Sequence, residues 1–156
     1  MYQKNEMIVY KKDVCKIIDI KEINNYTYLF LVPICDDSLK IQVPIDNKDI
    51  RNLISKDEVN KIIKKMPSIE VIKNNNKLLE NAYKNLLKEG SFESLIKIIK
   101  TAYLRNKARL DNNKKKQEKD DYYLELAEKY LYTEFSVVLN KNINEMKDYI
   151  LNTLNE

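Results

Sequence analysis

Apolar and polar positions along this chain change period once, near residue 55. Before that point, four short runs are rich in Ile, Val, Tyr and Phe and alternate in places with polar residues: Glu6–Tyr10, Val14–Ile23, Tyr26–Ile34 and Leu39–Ile45. That is the pattern of half-buried strands. Asn24-Asn25 separates the second run from the third, and Asp36-Asp37-Ser38 separates the third from the fourth. The chain has one glycine, Gly90. These turns are therefore expected to rely on Asn and Asp, the residues next most tolerant of left-handed backbone. Hairpins at such short spacing predict a small, strongly bent antiparallel sheet or barrel.

From Ser55 onward the apolar period is helical. Ser55-Lys56-Asp57-Glu58 has the form of a capping box, followed by Val59, Ile62 and Ile63 on one face and a stop at Met66-Pro67. The polar stretch Lys73–Lys77 reads as a linker. Leu78, Leu79, Ala82, Tyr83, Leu86 and Leu87 form the next stripe, closed by Gly90 as a C-terminal cap. Ser91 is placed to cap a helix carrying Leu95, Ile96, Ile99, Ala102 and Tyr103. After the charged, Asn-rich residues 105–119 comes a stripe of Tyr123, Leu124, Ala127, Tyr130, Leu131, Phe135 and Val138. Asn142 with Glu145 opens a last helix bearing Met146, Tyr149, Ile150 and Leu154. Each stripe reads as core. The fold class is α+β: a β unit with a trailing helix over residues 1–66, a linker over 67–76, and an all-α helical bundle over 77–156.

Composition narrows the function. Of 156 residues, 44% are apolar and 33% charged, enough to build a packed core. No apolar run reaches the roughly 18 residues of a membrane span, and the first residues lack the apolar stretch of a signal peptide. Cys15 and Cys35, both in apolar runs, are expected as buried thiols in a reducing compartment, which places the protein in the cytoplasm. With no histidine, the usual general base and the commonest zinc ligand are missing. A single glycine cannot form a phosphate-cradling loop. The pairs Asp36-Asp37 and Asp120-Asp121 suit a hairpin turn and a helix N-terminus better than a magnesium site. The chain is therefore expected to be no enzyme, with no cofactor and no small-molecule substrate.

Charge is uneven. Residues 1–70 carry 12 basic and 11 acidic side chains, whereas residues 97–119 carry 9 basic and 2 acidic. Such a segment can meet a phosphate backbone or be a solvated helix face.

Several blocks, in order, resemble the CarD/CdnL family of RNA polymerase-binding transcription factors, whose N-terminal module is shared with the transcription-repair coupling factor. Ile8-Val9-Tyr10 followed by Val14-Cys15-Lys16-Ile17-Ile18-Asp19-Ile20 looks like the family's opening hairpin. Tyr28-Leu29-Phe30-Leu31-Val32-Pro33 and Ile41-Gln42-Val43-Pro44-Ile45-Asp46-Asn47 follow, and Ile50–Val59 resembles the lead into the first helix. Ile98–Tyr103 and Ala127–Phe135 are similar to two central helices of the second half. The likeness covers essentially the whole chain. It departs at Lys11-Lys12-Asp13, where relatives usually have glycines, and at Gln117, Asp120 and Asp121, aligned with a Ser-x-x-Glu-basic helix start. The family's minor-groove tryptophan is missing too. This chain has none, and Val71–Asn76 aligns there, with Val71 or Ile72 as the apolar substitutes.

The resemblance implies a Tudor-like antiparallel barrel that docks on the polymerase β subunit by strand addition, through Lys21, Glu22, Ile23, Lys40, Ile41, Gln42 and Val43. It implies a helical domain that meets promoter DNA through Lys97, Lys100, Arg105, Lys107, Arg109, Lys114, Lys115 and Lys116, stabilising the open complex on promoters such as those of ribosomal RNA. The protein would then associate with the nucleoid through polymerase. The alternative is a polymerase-bound adaptor whose helical domain recruits another protein and leaves DNA untouched.

Overall fold

The computed structural model describes residues 1–73 and 76–154, apart from the side chains of Asn76 and Leu154. Part of the expected linker (residues 74 and 75) and the side chain of Leu154 thus lie outside the described residues. The fold is α+β and divides into two compact units, Met1–Ile54 and Ser55–Glu156.

The first unit is a five-stranded antiparallel sheet. Its strands are β1 (Met7–Tyr10), β2 (Asp13–Ile23), β3 (Tyr26–Pro33), β4 (Ile41–Pro44) and β5 (Ile50–Asn52), in the order β4-β3-β2-β1-β5. The sheet is not closed: β4 and β5 are its two ends. Ile8, Cys15, Ile17, Leu29, Leu31 and Val43 make one buried cluster on a single face, with Ile20, Ile41 and Ile50 packed against it. Fully burying each such side chain stabilises by roughly 1.5–3 kcal/mol. A register shift between Ile17 and Asp19 moves the pairing on by one residue. It keeps Ile20 on the core face opposite Leu29.

Turn chemistry explains how the sheet forms without glycine. Asn24 and Asn25 have φ of 52° and 68°, the left-handed pair that a two-residue hairpin needs. Asp36 Oδ1 accepts from Ser38 N–H at 3.2 Å and from the Ser38 hydroxyl at 2.6 Å, a side-chain-built turn. The β1–β2 turn uses neither Asn nor Asp at its left-handed positions. Lys11 and Lys12 hold φ of 48° and 77° there, a left-handed backbone that is costly for residues other than Gly, Asn and Asp.

The second unit contains α1 (Lys56–Lys65), a 3-10 turn (Met66–Ser68), α2 (Asn76–Glu89), α3 (Phe92–Asp111), α4 (Glu118–Leu139) and α5 (Ile143–Leu154). Ser55 Oγ accepts from Glu58 N–H at 3.1 Å and Ser91 Oγ from Ser94 N–H at 3.0 Å, so both expected caps form. Gly90, at φ 68°, ends α2. Asn142 and Glu145 bond reciprocally, each at 2.8 Å, ahead of α5. The division differs from the one read off the sequence: it falls at Ile54–Ser55, and α1 joins the helices. The reason is packing. Val59 and Ile63 are buried, α1 contacts α4, and the 3-10 turn contacts α5. Ile72, in the expected linker, is tied down by its N–H, which donates to Thr101 Oγ1 on α3 at 2.9 Å.

Candidate functional site

The sheet end at β4 is built so that its backbone can pair outward. Ile45 N–H donates to Thr27 O at 3.0 Å, which makes Thr27 and Ile45 a hydrogen-bonded pair. Antiparallel pairing then alternates, so Val43 opposite Leu29 and Ile41 opposite Leu31 also bond to β3. Gln42 and Pro44, between them, point their backbone groups away from β3. Gln42 thus presents one N–H and one C=O with no partner among the described residues, whereas the Pro44 C=O accepts from Asn47 N–H at 3.0 Å within the following turn. A proline is tolerated there because its missing donor faces outward. Val43 is buried while the Gln42 side chain is exposed, so the strand is anchored by one face and open along its edge.

The other expected contact segment lies elsewhere. Lys21, Glu22 and Ile23 are exposed at the far end of β2, paired with Tyr28, Thr27 and Tyr26. Lys21 and Pro44 flank Tyr28 on opposite sides, roughly 10 Å apart at ordinary strand spacing. One added strand therefore cannot pair with both segments. Beyond Ile17, β2 has no neighbour on its β1 side, but this edge is blunted. Asp19 Oδ1 takes the Ile20 N–H at 2.9 Å, and Lys21 sits 3.6 Å from Asp19 and 5.2 Å above the Phe30 ring. Lys40 is exposed immediately before β4.

On the helical unit, the eight expected cations do not form one free surface. Lys100 Nζ donates to the carbonyls of Met66 at 2.9 Å, Pro67 at 3.3 Å and Ile69, capping the 3-10 turn. Burial lowers its pKa. Arg109 Nε donates to Lys115 O at 2.6 Å and shapes the loop before α4. Arg105, expected on a solvated face, is instead 27% exposed and paired with Asp120, which is wholly buried. Its Nε lies 3.2 Å from both Asp120 carboxylate oxygens, and its Nη2 donates to Gln117 Oε1 at 3.1 Å. Tyr83 on α2 donates its hydroxyl to the same carboxylate at 2.7 Å and stacks on Tyr123 at 5.0 Å. Burial, reinforced by that hydrogen bond, pushes the Tyr83 hydroxyl up and keeps it a donor. Nearby, Asn106 Nδ2 donates to Asp121 at 3.1 Å. These contacts tie α2, α3 and the start of α4 together. Lys97 is half-buried on α3, and Lys107 with Lys114, Lys115 and Lys116 projects into solvent around the α3–α4 turn.

Asp120 lies in the first turn of α4, which begins at Glu118 as a helix-start charge requires, yet it is buried. Its burial had one signal. Asp120 continues the inward stripe of Tyr123, Ala127 and Leu131 by one more turn.

Of the two cysteines expected to be buried, Cys15 is and Cys35 is not. Cys15 is buried, and desolvation followed by the Asp13 charge pushes its thiol up to about 11. Cys35 is exposed, because the chain turns immediately after Pro33.

Among the described residues, no helix is long and apolar enough to cross a membrane, and no cluster of three His, Cys, Asp or Glu side chains could hold a metal ion. Compared with known proteins, the chain matches no family model and no curated sequence.

Proposed function

We propose that this protein binds bacterial RNA polymerase as a small accessory transcription factor of the CarD/CdnL type, docking on the β subunit. The observation that carries the reading is the β4 edge, where the Gln42 backbone faces outward with no partner and Lys40 stands beside it. Strand addition gives such an edge its affinity through main-chain hydrogen bonds. The order of sequence blocks supports the family. In this reading the open five-stranded sheet is the Tudor-like module, and β4 rather than the β2 end receives the partner strand. Lys21, Glu22 and Ile23 then act through side chains alone. The protein works by binding rather than catalysis.

The helical unit meets promoter DNA through Lys97, Lys107 and Lys114–Lys116, neutralising phosphates without reading bases and prolonging the open complex. Tethering by the sheet makes this weak contact effective. A second reading is favoured by a specific observation. Three of the eight expected cations are engaged within the fold, while Leu104 and Leu110 on α3 lie about half exposed. On that reading the same unit recruits a protein.

Gln42→Pro tests the docking. It removes the outward N–H and leaves the Ile41 and Val43 bonds to β3 in place. Retention of the polymerase β subunit should drop about tenfold or more, equivalent to the loss of one well-formed hydrogen bond to the partner. Gln42→Ala, which keeps the N–H, should bind as the parent does. Unchanged retention by folded Gln42→Pro would refute the β4 docking. In the same system, replacing Lys107 and Lys114–Lys116 by Ala should shorten open-complex lifetime without changing polymerase retention. An unchanged lifetime selects the adaptor reading.

A further inference from the structure

Within the helical unit, α3, α4 and α5 enclose a cleft of about 370 Å³, inside the range of small-molecule sites. Its floor is apolar, with Tyr103 from α3, Leu124 from α4 and Leu151 from α5, and the half-exposed Leu110 stands at its edge. One wall holds an ion pair, Lys147 Nζ to Glu128 Oε2 at 3.3 Å, in which the Glu128 side chain is only 13% exposed. Burial pushes the Glu128 carboxyl up and Lys147 holds it down, so this acid is neutralised by its neighbour. Asn106, 5% exposed, also lines the cleft. Its Nδ2 is committed to Asp121 and its Oδ1 has no partner, a buried acceptor that costs stability until a donor meets it.

The rim decides the sign of the occupant. Lys107 and Lys116 stand at it with no carboxylate in ion-pair distance among the described residues. Asp111, one turn beyond Lys107, is the one rim acid not already paired. With Glu128 and Lys147 cancelling, the cleft keeps a surplus of one positive charge above an apolar floor. We propose that this cleft is a binding site for a small amphipathic anion, its apolar body on the leucines and its carboxylate, sulfonate or phosphate group between Lys107 and Lys116. A hydroxyl or amide N–H on such a ligand would supply the donor that Asn106 lacks.

The proposal is independent of polymerase docking, and its test uses the full chain alone. Amide NMR spectra are recorded while titrating naphthalene-2-sulfonate, decanoate and, as the charge control, 2-naphthylmethylammonium. Both anions should give saturable shifts confined to residues 103–111, 124–128 and 147–151, and the ammonium should give none. Lys107→Glu with Lys116→Glu, both at exposed positions, should weaken the anions by about tenfold or more. Leu124→Trp, which fills the floor, should abolish saturation. Failure to saturate, equal binding of the cation, or binding that survives both variants would overturn the site.

Discussion

Asp120→Ala is the sharpest test of how the helical unit holds together. The carboxylate is wholly buried and accepts from both Tyr83 and Arg105, so its removal leaves a buried hydroxyl unmet and takes the counter-charge from a mostly buried guanidinium that keeps its bond to Gln117. Breaking a buried pair by deleting one partner costs about 3–5 kcal/mol. Arg105, at 27% exposed, can regain some water, which sets the expectation at the low end, about 3 kcal/mol. Tyr83→Phe removes one hydrogen bond and should cost only about 1 kcal/mol. In the double variant no hydroxyl is left unmet, so the losses should fall short of the sum by about 1 kcal/mol. Urea unfolding followed at 222 nm, where the helices dominate, measures all three. Lys107→Ala, on the solvated face, is the control and should stay within about 0.5 kcal/mol. A loss below 1 kcal/mol for Asp120→Ala, or strict additivity in the cycle, would refute the claim that this carboxylate joins α2, α3 and α4. The same argument explains why Arg105 is unsuited to a test of DNA contact: its loss unsettles the fold first.

Two further expectations follow from local geometry. Lys12→Gly relieves a side chain held at φ 77° and should stabilise the sheet by roughly 0.5–1 kcal/mol, after allowing for glycine's greater freedom when unfolded; an unchanged melting temperature would contradict it. Cys35 should react with iodoacetamide at pH 8 within minutes while Cys15, with its thiol near 11, reacts only on unfolding or as the pH climbs towards that value; equal rates at pH 8 would contradict the burial assigned to Cys15.

Much of the architecture was legible because it rests on neighbours in sequence. The four strand runs, the Ser55 and Ser91 caps, Gly90 and the Asn142–Glu145 box all depend on residues within a turn of one another. What escaped depends on distant pairing. β5 is three residues long and is defined only by its bonds to β1, so Ile50–Asn52 carried no period of their own. The unit boundary was misplaced because Val59 and Ile63 form an apolar stripe that says nothing about which partner covers it. Arg105 and Asp120 are fifteen residues apart and meet only through the register of the α3–α4 hairpin. Charge counting therefore assigned Arg105 to solvent. The β4 segment was legible as a strand with exposed alternate positions. That its backbone points outward at Gln42 required the bond between Ile45 and Thr27.

The unequal treatment of the sheet's open backbone sets a stoichiometry. Asp19 takes the outward Ile20 N–H of the β2 margin, whereas β4 keeps both outward backbone groups of Gln42 open among the described residues. If strand addition is the docking mode, as proposed, a heterologous strand would be taken up once per copy. Two copies meeting through β4 would form a closed two-fold pair that leaves neither β4 edge for a third copy. Such a pair would also hide Gln42, which makes self-association and partner capture mutually exclusive states of one strand.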